Sequence, residues 1–129
     1  MEKEVTMKRF GFVKTACAIP QVAVADTVAN TDKILELCQQ AWDTGVGIVL
    51  FPELCLTGYT CGDLFAQSLL MDGVAEGLRR IGAWSKDKDM LIILGVPIPV
   101  DGAVYNGAVA FNQGELLGMV PKVYVPNSH

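Results

Sequence analysis

Hydrophobic positions along the chain fall into two kinds of block, short near-continuous runs and longer stretches at helical spacing. Phe10 to Ile19 is apolar or small on both faces and is closed by Pro20, which predicts a buried strand. From Asp26 to about Thr44, the residues Ile34, Leu35, Leu37, Cys38, Ala41 and Trp42 recur at i, i+3, i+4, i+7 and i+8. That is the stripe of a helix packed on one side. Asp26 opens it, and Gly45 stands where a C-terminal stop is expected. Val46 to Phe51 is almost wholly apolar and predicts a strand covered on both faces. Pro52 to Gly62 holds a proline, two glycines and two threonines and reads as a loop.

Asp63 is placed as the N-cap of a short helix through Met71. A second amphipathic helix follows, with Val74, Leu78, Ile81 and Trp84 or Ser85 on one side. Met90 to Val96 predicts another buried strand, and Pro97, Pro99 and Asp101-Gly102 a turn-rich connection. Ala103 to Phe111 and Leu116 to Val120 read as a hairpin around Asn112-Gln113-Gly114. The order β-α-β-α-β-β-β predicts an α/β fold, a sheet with helices packed on it, to which the hairpin adds an antiparallel part. At 129 residues this is one domain. The chain stops soon after a strand, at Pro126-Asn127-Ser128-His129, so the last strands are expected to lack cover on one face.

Composition narrows the function classes. With 51% hydrophobic and 19% charged residues, the chain has enough apolar surface to exclude intrinsic disorder. Ten Lys+Arg against fourteen Asp+Glu give a net charge of −4. No basic face emerges, so nucleic acid is not an expected partner. Lys86-Asp87-Lys88-Asp89 alternates in sign and reads as a solvated loop. No run approaches the roughly 18 apolar residues of a membrane span, and no membrane partner is expected. The stretch from Lys8-Arg9 to Ala23-Val24-Ala25 imitates a secretion signal, but Lys14 interrupts its apolar part. Cys17, Cys38, Cys55 and Cys61 contain no C-x-x-C pair, and the single histidine is His129, so no metal site is expected. The cysteines read as reduced thiols of a cytoplasmic protein, with Cys17 and Cys38 in the core.

In open α/β sheets ligands bind beyond the carboxyl ends of the strands. Glu53 stands there, in Phe51-Pro52-Glu53-Leu54, hemmed in by apolar neighbours. It reads either as a solvated loop carboxylate or as a general base whose pKa is raised by partial burial. Lys122, in Val120-Pro121-Lys122-Val123, reads either as a lysine guarding a sheet edge or as a cation facing an oxyanion. Each follows a proline directly after a strand, so the two could meet at one rim of the sheet. Tyr59 either faces a ligand or packs with one wet end. Cys55 lies two residues from Glu53, yet nothing marks it for a low pKa. No G-x-G-x-x-G or G-x-x-x-x-G-K loop is present for a nucleotide.

Phe51-Pro52-Glu53-Leu54-Cys55-Leu56-Thr57-Gly58-Tyr59 resembles the first signature of the nitrilase, or carbon–nitrogen hydrolase, superfamily. Val120-Pro121-Lys122-Val123-Tyr124-Val125-Pro126-Asn127 resembles the second. Asn106 and Gly114-Glu115-Leu116-Leu117-Gly118 match the hairpin found before that lysine. Leu56-Thr57-Gly58-Tyr59, continued by Asp63-Leu64-Phe65, is similar to the glutaminase domains of glutamine-dependent NAD synthetases. The resemblance runs over roughly residues 9 to 127.

This resemblance implies the N-terminal half of an αββα sandwich. Residues 1–129 would be a partial glutaminase domain, truncated before the family's cysteine nucleophile, with the synthetase domain absent. Ser128-His129 stand where the family has an aromatic residue. The implied activity is hydrolysis of glutamine to supply ammonia for amidation of deamido-NAD. Glu53 would be the general base, Lys122 the oxyanion-stabilising cation and Tyr59 a substrate-binding residue. The glutaminase part would need no cofactor, ATP and Mg belonging to the synthetase domain. The full-length protein would be a homo-oligomer, and this chain alone inactive. A stand-alone amidase or carbamoylase of the same superfamily is the second reading, and a non-catalytic module used for assembly the third.

Overall fold

The structure, a computed structural model, describes residues 11–23, 26–52, 55, 64–101 and 103–121. In chain order the elements are β1 (Thr15–Cys17), α1 (Thr27–Asp43), β2 (Ile48–Leu50), α2 (Leu64–Ser85), β3 (Leu91–Val100), β4 (Ala103–Asn112) and β5 (Glu115–Pro121). They follow the expected α/β order. The strands form one sheet in the order β1-β2-β3-β4-β5. The first two pairings are parallel and the last two antiparallel.

Helix α1 begins where its capping residue predicts. The Asp26 carboxylate accepts the Ala29 N–H at 3.0 Å, satisfying one of the free donors of the first turn. Gly45, at φ +80°, turns the chain out of the helix in a conformation that other residues adopt with strain. Buried Asn30 holds the segment before the helix. Its amide accepts from the Ala23 N–H and donates to the Ala23 carbonyl, both at 2.7 Å.

Helix α2 is a single 22-residue helix where the sequence suggested two. The expected break fell at Asp72-Gly73, but one interior glycine costs a helix only about 1 kcal/mol. Here the glycine has a packing reason. A Cβ at Gly73 would collide with the Thr27 hydroxyl and come within 3.1 Å of Thr27 Cβ and Cγ2. Gly73 is therefore where α2 passes the first turn of α1. Farther along, Arg80 pairs with Asp32 at 2.6 Å and Trp84 Nε1 donates to Gln39 Oε1 at 3.2 Å. These contacts advance together on both helices, so the two run side by side in the same direction. Asp63, the predicted cap, lies outside the described residues.

Strand alternation divides the sheet into two unlike faces. Val49, Ile92, Leu94, Val96, Val109 and Phe111 point under the helices and form the core with Ile34, Cys38, Ala41, Val74 and Ile81. The opposite face is less covered, with Leu50 44% and Val120 67% exposed. This corrects the expectation that β2 is covered on both sides. It also corrects the buried strand over Phe10–Ile19. Only Thr15–Cys17 pair, at the sheet edge, while Phe12, Val13 and Ile19 are exposed and so is Cys17. An apolar run reports the capacity to be covered, and at this edge nothing described covers it. As expected for the last strands, every residue of β5 is exposed.

Pro97 and Pro99, read as part of a connection, lie inside β3 opposite Asn106 and Val104. The hydrogen-bond parity explains why. Leu91 N–H donates to the Gly47 carbonyl and the Ile93 carbonyl accepts from Phe51 N–H, so odd-numbered residues of β3 direct their backbone groups toward β2. The β2 pairing ends at Leu50 opposite Ile93. Beyond that point Pro97 and Pro99 remove no ladder bond, because their nitrogens face away from β4. The β4–β5 hairpin turns through Gln113 (φ +51°) and Gly114 (φ +79°), the mirror-image turn that suits a two-residue hairpin. Ser85 ties this turn to the end of α2, accepting the Gly114 N–H at 2.9 Å.

Candidate functional site

The parallel strands point their carboxyl ends toward one rim, where an α/β sheet offers its ligand site. The end of β2 is fixed there by the bond from Phe51 N–H to the Ile93 carbonyl, 2.8 Å. Pro52 follows, and Glu53 is the next residue in sequence. On the far side, β5 ends at Pro121, paired with Gly107 of β4, and Lys122 comes next in sequence. Glu53, Lys122 and Tyr59 themselves lie outside the described residues, as does Cys61.

Between the two strand ends lies an open cavity of about 270 Å³, bounded by Leu50 and Phe51 on one side and Val120 on the other. Its floor is the middle of the β3–β4 hairpin, with Gly95, Gly107 and Ala108. Leu50, Ile93, Ala108 and Val120 are linked by strand pairing and alternation, which sets the cavity on the face away from the helices. Small residues make the hollow. A Cβ at Gly107 would collide with Ile98 and sit 2.9 Å from the Val120 carbonyl, so β4 keeps this path only with glycine there. One side chain among the described lining residues is polar, Asn106. Apolar walls of this kind strengthen electrostatic interactions and push up the pKa of a carboxyl group that enters them.

The two buried cysteines, Cys38 and Cys55, do not have the character of nucleophiles, which act as thiolates. Cys55 is fully buried, its sulfur 3.7 Å from the Gly95 carbonyl, and burial pushes its pKa up from 9.0 to about 11. Burial, with Cys55 nearby, pushes the Cys38 thiol up to about 12. Cys38 is core, as expected. Cys17 is exposed, contrary to expectation, because the edge strand that carries it is uncovered. Among the described residues no group of three or more His, Cys, Asp or Glu gathers closely enough to hold a metal ion. No described helix is long and apolar enough to cross a membrane.

Sequence reading identified the two strand ends but not the cavity between them. Asn106 stood out only as part of a resemblance. Its place on the open face follows from the β3–β4 register, which a single sequence does not display.

Comparison with known proteins bears on this arrangement. The carbon–nitrogen hydrolase family profile matches residues 15–127. A glutamine-dependent NAD(+) synthetase of Mycobacterium leprae is 34% identical over 90% of this chain, which spans 17% of that protein's length. The synthetase of Xanthomonas campestris is 30% identical over 98% of the chain, which spans 22% of it. Among solved structures, the synthetase of Cytophaga hutchinsonii superposes with a TM-score of 0.78 at 29% identity, over 89% of this chain and 20% of its own. The NitN amidase of Nesterenkonia sp. AN1 superposes at 0.68 and 25% identity, over 85% of this chain and 45% of its own.

Proposed function

Because the chain belongs to the carbon–nitrogen hydrolase family, we propose that it is the glutamate- and lysine-bearing part of a glutaminase centre, serving a glutamine-dependent NAD synthetase. The observation that supports this most is the cavity on the open face. The strand leading to Glu53 and the strand leading to Lys122 border it from opposite sides. A residue of chain spans about 3.3–3.6 Å, so Glu53, two residues after Phe51, and Lys122, two after Val120, are tethered within reach of it. The curated relatives support glutamine as the substrate.

In this reading Glu53 takes the proton of a cysteine thiol, and the thiolate attacks the side-chain amide carbon of glutamine. Lys122 offsets the charge that develops on the carbonyl oxygen, and apolar walls strengthen that interaction. Ammonia leaves with the proton held by Glu53. Water, deprotonated by the same carboxylate, then cleaves the thioester to glutamate. Tyr59 shapes the glutamine pocket. The chemistry needs no cofactor; ATP and Mg serve the synthetase reaction, and the whole protein is a homo-oligomer. The buried thiols Cys38 and Cys55 suit a reducing cytoplasm.

The family's nucleophile follows the lysine signature, and all four cysteines of this chain precede Lys122. We therefore expect the 129 residues alone to release no glutamate from glutamine. Supplied with the complementary part of a related domain that carries the nucleophile, they should do so. Glu53→Gln or Lys122→Ala should then lower the rate at least about 1,000-fold, as loss of one member of a linked catalytic set does. Glutamate release by the 129-residue chain alone, or retained activity in either variant, would overturn the assignment. The NitN likeness supports a stand-alone amidase as the second reading. Turnover of short aliphatic amides in preference to glutamine would decide for it.

A further inference from the structure

The cavity on the open face has one polar side chain among its described lining residues, Asn106, and the reading above gives it no task. Asn106 pairs with Pro97 across β3 and β4. Strand alternation sets its side chain on the face of Ala108, opposite to buried Val109 and Phe111, and the residue is half-buried there. Gly95 pairs with Ala108 two residues along the ladder, and these small residues leave the hollow beside the amide. Pro97, Ala108 and Val120 offer it no side-chain hydrogen bond. Among the described residues its side chain has no hydrogen-bond partner. A polar group beside apolar walls costs free energy until something pairs with it. What an asparagine offers a ligand is one carbonyl acceptor and one NH₂ donor, held side by side in a plane.

We propose that Asn106 is a specificity-determining residue that reads the carboxamide of a substrate held in this cavity. Its NH₂ donates to the substrate's amide carbonyl, and its own carbonyl accepts from the substrate's NH₂. A primary amide carries the complementary acceptor and donor, so two hydrogen bonds form in one plane. That plane is also the plane of the reacting amide, which leaves both faces of its carbon open to a nucleophile. The hydrolysis product cannot keep the pair. A carboxylate only accepts, so one of its oxygens faces the Asn106 carbonyl with no proton between them. Asn106 therefore favours the amide over the acid it becomes, and favours release of that acid. The carboxamide is common to glutamine and to short aliphatic amides, so the inference holds for either substrate.

The inference rests on the reading of the cavity as the amide-binding centre, and the test separates the two. The full 129-residue chain, labelled with ¹⁵N, is titrated with butyramide, with butyrate and with 2-pentanone, an uncharged isostere that keeps the carbonyl and lacks the NH₂. NMR spectra follow the backbone amides of Gly95 and Ala108 and the side-chain NH₂ of Asn106. Butyramide should move all three. In Asn106→Leu, of similar size and without polar side-chain atoms, the preference for butyramide over 2-pentanone should fall roughly three- to tenfold, the worth of one hydrogen bond. The preference over butyrate should fall at least as far. Gly95 and Ala108 signals that move while the Asn106 NH₂ stays put overturn the proposal and leave the cavity as the amide site. So does a preference unchanged in the folded variant. No movement of any of the three with butyramide overturns the proposal together with the reading of the cavity. The wild-type spectra decide the matter if the leucine variant fails to fold.

Discussion

At the scale of single residues, the chemistry of the two buried thiols is set by where they sit. Cys38 belongs to the apolar face of α1 and Cys55 lies against the Gly95 carbonyl, and burial raises both. A thiol whose pKa is higher in the fold than in the unfolded chain stabilises the fold fully below the unfolded value. That contribution is lost as pH rises through the folded value. The window here runs from about 9, the ordinary thiol value, to about 11 for Cys55 and 12 for Cys38. Urea-unfolding free energy should therefore fall between pH 9 and 11, on the order of 1 kcal/mol per pH unit for each thiol. Cys38→Ala should make that fall shallower whatever it does to the absolute stability. An unchanged slope would show that the thiol is not buried as described. Cys38 was legible as a core residue because helical periodicity names its neighbours. Cys17 was not, because whether a strand face is covered depends on elements distant in sequence.

Among the elements, the pair α1 and α2 shows how a local rule yields to packing. The sequence pattern ends one helix at Met71 and starts another that carries Val74, yet α2 runs through Gly73 between them and uses the missing side chain to pass Thr27. In an exposed helix Gly→Ala stabilises by about 1 kcal/mol. Here Gly73→Ala should instead destabilise by about 1–3 kcal/mol, the usual cost of overpacking. Thr27→Ala in the same molecule should relieve the clash and recover most of the loss. Thermal or urea melts of the two single variants and the double variant decide it, and a stabilising Gly73→Ala would contradict the close crossing. The prolines of β3 make the same point about sheets. Pro97 and Pro99 look like strand breakers until the parity of the ladder shows their nitrogens directed where β2 has already ended. Parity is a property of paired strands and has no trace in one run of residues.

For the molecule as a whole, the decisive feature is a sheet with helices on one face and apolar residues on the other. Leu116, Leu117, Met119 and Val120 are all about half exposed or more, on a strand at the sheet's edge. Such an edge and such a face favour self-association. Sedimentation of the 129-residue chain should show concentration-dependent association, reduced by Leu117→Lys together with Val120→Lys. A strictly monomeric chain at high micromolar concentration would mean that this surface is covered by residues outside those described. Element order and the two strand-end signatures could be read from sequence, since hydrophobic spacing and the paired prolines carry them. The cavity they border could not, because it arises from the register of four strands.

The central claim is that Glu53 and Lys122 meet across that cavity, and carbodiimide coupling tests it most directly. The reagent joins a carboxylate to an amine with no spacer, so it links groups within hydrogen-bond reach, about 3 Å. Mass spectrometry of the coupled, digested chain should reveal an isopeptide between Glu53 and Lys122, absent from Glu53→Gln and Lys122→Arg. Lys122 coupled to other carboxylates, with no Glu53–Lys122 product, would place the two residues apart and contradict the account.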